Sequence, residues 1–494
     1  MLYADLYARY GPRRNGVTRR EMLRATLAAS AGLLMCDHMA HVVSGQAPRT
    51  GRRVIIVGGG FGGLAAGHEL AAAGYDVTVL EARNRIGGRV LSFQDLVPGK
   101  NVEGGGELIG SNHPSWVAYH KKFGLEFLDV SDYPDLDSPI VLGGRRLTAT
   151  ESSRLWEEMD AALSRLNADA ARVVDPYQPW TVENAAALDR RTLASWIDAL
   201  GVSALCKQGI HAMMTANNGV TTAWQSYLGN LAMVSGGGGE KFWLDSEVYR
   251  CKGGNQQLAQ KLAATLGSRV RVRTVVREIA VRDAAVKVTL ADGSTLESDD
   301  VVLATPPTVW NRIAIDPPLP PGLTPQMGAN IKFLMALKSR VWQSRGLAPR
   351  MLGNGAVHLT WEGTDNQKGP GAGLVAFSGG PAADECRSWP PAERTSRYLR
   401  LLEPVYPGIT ASLAKTRFMD WPGDIWTKGS YSFPAPGQVT AVGPQLRNGL
   451  GRLHFAGEHA CYAFVGYMEG ALNSGIAVAR RLAVRDGIIK AAAA

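Results

Sequence analysis

Apolar positions along this chain fall into short runs, and the first clear run organises the motif around it. Val54-Ile55-Ile56-Val57 is continuous, β-branched and too short for a helix. That predicts a strand buried on both faces, as in a parallel sheet. A glycine-rich turn comes next, then an Ala/Leu-rich helical segment over 64–73, a turn at Gly74, and a second strand, Val77-Thr78-Val79-Leu80, ending in Glu81. Helical character extends over 151–215, and Ser235 to Gly239 reads as a glycine loop. Arg250 to Leu266 reads as a glycine turn leading into a helix. Strands are predicted at 270–276, 285–290 and 300–304, with Asp292-Gly293 as the hairpin turn between two of them. Ile331 to Leu337 is almost wholly apolar yet holds Lys332. Near the end, Leu453-His454-Phe455 is a strand that runs through a glycine turn into a helix over 470–485.

The turn after the first strand carries chemistry. Gly58, Gly60 and Gly63 have the G-x-G-x-x-G spacing, and Glu81 comes about 20 residues on, as the dinucleotide fingerprint requires. Gly58 suits the tight turn, Gly60 a close backbone approach to a pyrophosphate, and Gly63 close packing of helix on sheet. The helix N-terminus offers free N–H groups and a positive dipole end to phosphates. Glu81 is placed to accept hydrogen bonds from a ribose. Because strand, loop, helix, strand and acid come in order, a dinucleotide is the expected ligand.

Bulk properties narrow the class. At 494 residues the chain should form two or more domains, and 45% apolar with 20% charged residues is ordinary for a globular protein. Of the formal net charge of +9, residues 1–47 contribute +3, from six arginines against Asp5, Glu21 and Asp37. The remainder is spread without a basic block, which argues against nucleic-acid binding. Thr18-Arg19-Arg20-Glu21-Met22-Leu23-Arg24 precedes the short apolar stretch Ala25 to Met35. This resembles a bacterial twin-arginine export signal, so residues 1–47 are expected to be a signal or disordered segment. The twin-arginine machinery is then a partner, and the periplasm or exterior the destination. A processing site near Ala47 matches A-x-A poorly, and Met35 is too large for a lipoprotein site at Cys36. No run of about 18 apolar residues predicts a stable membrane span. The five cysteines show no metal spacing, the nine histidines show no ligand spacing, and no metal is expected.

The stretch Glu81-Ala82-Arg83-Asn84-Arg85-Ile86-Gly87-Gly88-Arg89 goes beyond the basic fingerprint. It adds two glycines and three arginines, fitting a second backbone approach and further anionic groups. It resembles the L-E-A-R-x-R-x-G-G-R segment of the flavin-dependent amine oxidases, the family of monoamine, polyamine and L-amino-acid oxidases. The resemblance recurs in order at Val301 to Pro307, Ile331 to Trp342 and Phe455 to Gly470, and covers about 52 to 485. It implies an α/β fold: a Rossmann-like doubly wound FAD-binding domain from 50–127, 245–310 and 424–485, plus a mixed α+β substrate domain from 128–244 and 311–423. It further implies that Glu81 binds the adenosine ribose, Arg83 and Arg89 the pyrophosphate region, and the Val276 backbone the adenine. Glu458 would bind toward the ribitol, the Met468 N–H would meet the flavin ring, and Gly88 and Gly457 would also be cofactor-binding. Arg83 and Arg89 as solvated loop charges remain the alternative.

Lys332 would be costly to bury unpaired. By the resemblance it holds a water at flavin N5 and assists reoxidation by dioxygen; the alternative is an edge-strand lysine that snorkels to solvent. Tyr431 and Tyr467 align with the two aromatic positions that flank the amine in monoamine oxidases, where rings suit an alkyl chain and a cationic nitrogen. Core packing is their alternative. Ser430 aligns with the cysteine that links flavin covalently, and serine makes no such thioether, so FAD is expected to be non-covalent. Glu107, in Gly104-Gly105-Gly106-Glu107-Leu108-Ile109-Gly110, either faces a substrate ammonium or stabilises its loop. Trp426, Tyr462 and Phe464 suggest an aromatic-tolerant pocket.

The implied reaction moves the amine Cα–H to flavin N5, hydrolyses the imine with water and reduces dioxygen to hydrogen peroxide. An amine is the favoured substrate because the G-P-x-R clamp of L-amino-acid oxidases is absent. An L-amino-acid oxidase giving a 2-oxo acid stays open, as do a flavin desaturase or dehydrogenase, a flavoprotein that only binds, and a homodimer.

Overall fold

The computed structural model describes residues 7, 9–11, 50–130 and 133–490. The twin-arginine segment, the processing region and Cys36 lie outside the described residues.

Arg53–Val57 is the middle strand of a five-stranded sheet in the order Leu453–Phe455, Asp300–Leu303, Arg53–Val57, Asp76–Leu80, Val270–Arg271. All four pairings are parallel. The continuous apolar run has a direct cause, since successive strand residues point to opposite faces. Val54 and Ile56 enter one core, against Leu64 and Leu70 of helix Phe61–Ala72 and Leu472 and Ile476 of helix Met468–Arg485. Ile55 and Val57 enter a second core with Ile279, Val288 and Trp310. The two helices lie so close that a Cβ on Gly475 would stand 2.3 Å from the Gly62 carbonyl oxygen.

A seven-stranded sheet has the order Leu413–Asp420, Asn330–Leu337, Ala372–Gly379, Leu359–Glu362, Met351–Gly353, Ile140–Leu142, Arg145–Arg146. Asn330–Leu337 is antiparallel to both neighbours, and all eight of its residues are buried. Lys332 is therefore on an interior strand, which removes the edge-strand alternative. Its odd-numbered neighbours Ile331, Phe333 and Met335 fill one core, while Leu334 and Ala336 share the other face with Leu96, Val102 and Trp361. Helices Ala149–Ala170, Ala204–Asn218 and Tyr227–Gly236 pack together beside this sheet around Trp156, Met159 and Leu231. The architecture is α/β, with the parallel sheet covered by helices on one face and largely by the strands Val276–Val281 and Val286–Leu290 on the other, beside a separate mixed sheet.

Several expected elements change. The segment 270–276 is not one strand: Val270–Arg271 ends the parallel sheet and Val276–Val281 starts a four-stranded sheet. Between them Arg273 takes φ 55°, and the backbone N–H groups of Arg273 and Thr274 donate to the Arg83 and Glu81 carbonyls. The Asp292-Gly293 turn joins Val286–Leu290 to Thr295–Ser298, not to Asp300–Leu303, which belongs to the parallel sheet. The glycine run is partly helical, because Tyr227–Gly236 continues through Ser235 before 237–239 turn into Glu240–Asp245. The helical stretch 151–215 is broken by 3-10 and turn segments after Ala170. The four described cysteines, Cys206, Cys251, Cys386 and Cys461, are unpaired and buried. No described helix is long and apolar enough to cross a membrane.

Candidate active site

A cavity of about 500 Å³ begins at the carboxyl ends of Arg53–Val57 and Asp76–Leu80 and runs to the seven-stranded sheet and the helices beside it. Ligands of open parallel sheets bind at that end of the strands. Gly58, at φ 115°, makes the turn off the strand, and its N–H donates to the Leu80 carbonyl. A Cβ on Gly63 would stand 2.0 Å from the Gly58 carbonyl oxygen, so this glycine lets the helix sit on the strand. Gly63 does not reach the cavity wall; the other sequence-derived cofactor residues all do.

The cofactor end fits a dinucleotide on two independent observations. A Cβ on Gly60 would meet no protein atom nearer than the Gly88 Cα at 3.9 Å, so protein packing does not require this glycine, whereas a close ligand would. Helix Phe61–Ala72 begins beside it with no side-chain cap and no acid in its first turn. Its first N–H groups therefore lack side-chain acceptors where Gly60, Phe61 and Gly62 line the cavity. Arg83, Arg89, Arg277 and Arg312 are cations on the wall at this end.

The acids are held by the backbone. One Glu81 oxygen accepts from the Gly59 N–H at 2.7 Å, the other from the Arg83 N–H at 2.8 Å. Arg83 pairs with Asp424 and donates to the Thr427 hydroxyl at 2.8 Å. Arg89 donates to the Ser430 carbonyl at 2.7 Å and to Glu458 at 2.9 Å. Neither arginine is a solvated loop charge. Glu458 also accepts from the Ser432 N–H and hydroxyl and from the Gly466 N–H, which uses about all of a carboxylate's acceptor sites. It ties three segments of the wall together. Gly457 lines the wall beside it, Val276 lines it at the start of its strand, and Met468 opens helix Met468–Arg485, where its N–H has no intrahelical acceptor.

At the other end stand Tyr431 and Tyr467. The Tyr431 hydroxyl donates to the Asn217 carbonyl at 2.8 Å, and its ring lies against Gly466. Tyr467 makes edge contacts with His113 and Phe242, ring centroids 5.3 and 6.3 Å apart. Burial pushes both phenols well above their ordinary range, so both stay neutral. Met213, Met233, Phe242 and Trp243 complete the helical wall, with the half-buried Glu247 beside them.

Three expectations about this end take a definite form. Lys332 is buried but paired: its ammonium donates to Glu107 at 2.7 Å, to the Gly105 carbonyl at 2.7 Å and to the Glu103 carbonyl at 3.3 Å. Glu107 accordingly faces Lys332, and its other oxygen accepts from Arg250 and from the Trp361 indole, both at 2.8 Å. It is committed to these partners and not held open for a substrate ammonium. Trp426 lines the cavity at the dinucleotide end, where its backbone N–H donates to Asp424, the partner of Arg83; Tyr462 and Phe464 are core residues off the wall. The sequence reading missed Arg250, Trp361 and Asp365. For Arg250 a signal existed, a lone charge between Tyr249 and Cys251 in a fully buried strand.

Among the described residues no group of three or more His, Cys, Asp and Glu is placed to hold a metal ion. The model of the flavin-containing amine oxidoreductases matches residues 61–483. An L-amino acid dehydrogenase of Synechocystis is 29% identical, over 88% of this chain and 96% of that protein. Flavin-containing amine oxidase B of Homo sapiens is 27% identical, over 87% and 85%. The cyclohexylamine oxidase structure from Brevibacterium oxydans superposes with a TM-score of 0.80 at 27% identity, covering 88% of this chain and 99% of that one. The chain belongs to the flavin-containing amine oxidoreductase family and is an FAD-dependent amine oxidase.

Proposed function

We propose that the protein oxidises a primary amine or polyamine with non-covalently bound FAD, releasing the aldehyde, ammonia and hydrogen peroxide. The observation that carries the substrate class is the charge of the helical wall. Among the described residues no arginine or lysine lines that wall; the arginines of the cavity lie at the Glu81 end, and Lys332 is held by Glu107. An amino-acid carboxylate entering this end would meet no arginine or lysine on that wall among the described residues, whereas an ammonium would meet the two aromatic faces of Tyr431 and Tyr467.

FAD, when bound, supplies the two-electron oxidation of the amine and its return to dioxygen. Gly60, Gly88, Glu81, Arg83 and Arg89 would hold its dinucleotide part. Tyr431 and Tyr467, as neutral phenols on a wall of Met and Phe side chains, pack the alkyl chain and exclude water. The cofactor-binding segments would be 50–127, 245–310 and 424–485, and the substrate segments 128–244 and 311–423. The Arg19-Arg20 signal supports export by the twin-arginine route to the periplasm or beyond, with FAD loaded before transport; a homodimer is compatible with this.

The test measures flavin bleaching and peroxide release across primary amines, polyamines and the twenty L-amino acids. Amines should bleach the flavin at least tenfold faster than any amino acid. Bleaching by L-amino acids alone would overturn the amine reading in favour of the second one, which the Synechocystis relative's name favours. Bleaching that reverses only with an added acceptor would overturn the oxidase reading in favour of a dehydrogenase.

Non-covalent binding has its own test. The Ser430 hydroxyl donates to the Asn330 side chain at 2.7 Å and offers no thiol. Acid precipitation should leave all the flavin in the supernatant. Flavin pelleting with the protein would contradict this.

A further inference from the structure

Lys332 has three N–H donors, and protein acceptors take all three: Glu107, the Gly105 carbonyl and the Glu103 carbonyl. Glu107 is shared with Arg250, and Arg250 continues to Asp365 and, at 2.8 Å, to the Glu362 carbonyl. The side chains of Lys332, Glu107, Arg250 and Asp365 are 9%, 3%, 2% and 5% exposed. They form a buried series of alternating sign whose charges sum to zero. Trp361 closes it on one side, its ring centroid 5.4 Å from the Lys332 nitrogen and its N–H on Glu107. Burial alone would push the Glu107 carboxyl up, but the charges of Lys332 and Arg250 outweigh it and hold the group below the ordinary carboxylate range. Glu103 lies beside the series but outside it, hydrogen-bonded to Ser92 and the Asn255 N–H, and burial pushes its carboxyl up to about 7.

We propose that Glu107 is a positioning residue for Lys332, keeping it as a donor-saturated, charge-balanced cation whose field, and not a held water, acts on the bound flavin. This rests on the proposed function, in which FAD occupies the cavity whose wall Lys332 lines. A family-type lysine would need a free N–H for a water, and here each N–H is already directed at a protein oxygen. What remains for the group to contribute is its charge, and Glu107 sets how much of that charge is left uncompensated. In a buried site a unit charge changed on one side of such a series is weakly screened.

The flavin midpoint potential, measured by reductive titration against a reference dye at a single pH, reads this without amine or dioxygen. Lys332→Met removes a positive charge and should shift the potential down. Glu107→Gln removes a negative charge at constant volume and should shift it up. The double variant removes both and should return the potential toward the parent value. Single shifts in the same direction, or a double variant displaced further than either single, would overturn the proposal, since loosened packing has no reason to give opposite signs that cancel. If Glu107→Gln does not accumulate, Glu107→Asp keeps the charge and should hold the parent potential; a downward shift like that of Lys332→Met would count against the idea. Loss of FAD from the parent protein itself would overturn the cofactor reading and this inference together, whereas bound FAD with unmoved potentials would overturn this inference alone.

Discussion

Replacing Arg250 with methionine is expected to destabilise the folded chain by about 3–5 kcal/mol, the usual cost of removing one partner from a buried ion pair. The guanidinium joins three parts of the chain: Glu107 in the glycine crossing, the Glu362 carbonyl at the end of Leu359–Glu362 with Asp365 just beyond it, and its own strand Tyr249–Cys251. Methionine fills much of the same space, so the loss is electrostatic more than steric. It leaves Glu107 with Lys332 as its remaining ion-pair partner. Arg250→Lys should fall between parent and methionine, because an ammonium keeps the charge but cannot reach three acceptors with a planar fork. The check is the denaturation midpoint of both variants with and without FAD. A loss below about 1 kcal/mol for the methionine variant would show that the series is not a stabilising element.

That cluster marks where sequence reading stopped. The first strand was legible because its continuous apolar run has one explanation, two buried faces, and Val54, Ile55, Ile56 and Val57 do alternate between two cores. The glycine fingerprint was legible because Gly58 and Gly63 serve local backbone needs, while Gly60 leaves room for a ligand. Lys332 stood out as a charge in an apolar run. Its partners did not, since Glu107 is 225 residues away and Arg250 meets Asp365 across 115, and no local pattern records such a pairing. Aromatic residues gave the same ambiguity in another form: Trp426, Tyr462 and Phe464 look alike in sequence, yet one lines the dinucleotide end and two are core. In 270–276 the β-branched residues were real strand formers, but a positive φ at Arg273 divides them between two sheets, and arginine does not advertise that conformation. The hairpin failed more mildly. Asp292-Gly293 was correctly a turn, but Thr295–Ser298 is too short and polar to stand out as its partner.

Gly63→Ala is expected to remove FAD binding almost completely, although Gly63 touches no part of the cavity. The added Cβ would stand 2.0 Å from the Gly58 carbonyl oxygen, 3.1 Å from Ile56 and 3.2 Å from Ala304. The first is backbone at the turn itself, and the other two belong to Arg53–Val57 and the segment after Asp300–Leu303, so nothing flexible can yield. The helix must lift off the sheet, carrying away the uncapped N–H groups beside Gly60 that the pyrophosphate would use. Gly201→Ala is the control, because a Cβ there meets nothing within 4 Å and the backbone is not left-handed. Flavin absorbance per protein after gel filtration should fall at least tenfold for Gly63→Ala and stay at the parent level for Gly201→Ala. Added FAD should not restore it, because the defect lies in the spacing of helix and strand and not in the strength of a single contact. Circular dichroism should still report a folded chain, since Lys332 and the seven-stranded sheet stand apart from the lifted helix. Full flavin occupancy in Gly63→Ala would mean that the helix tolerates the displacement, and that the cradle is not set by this packing.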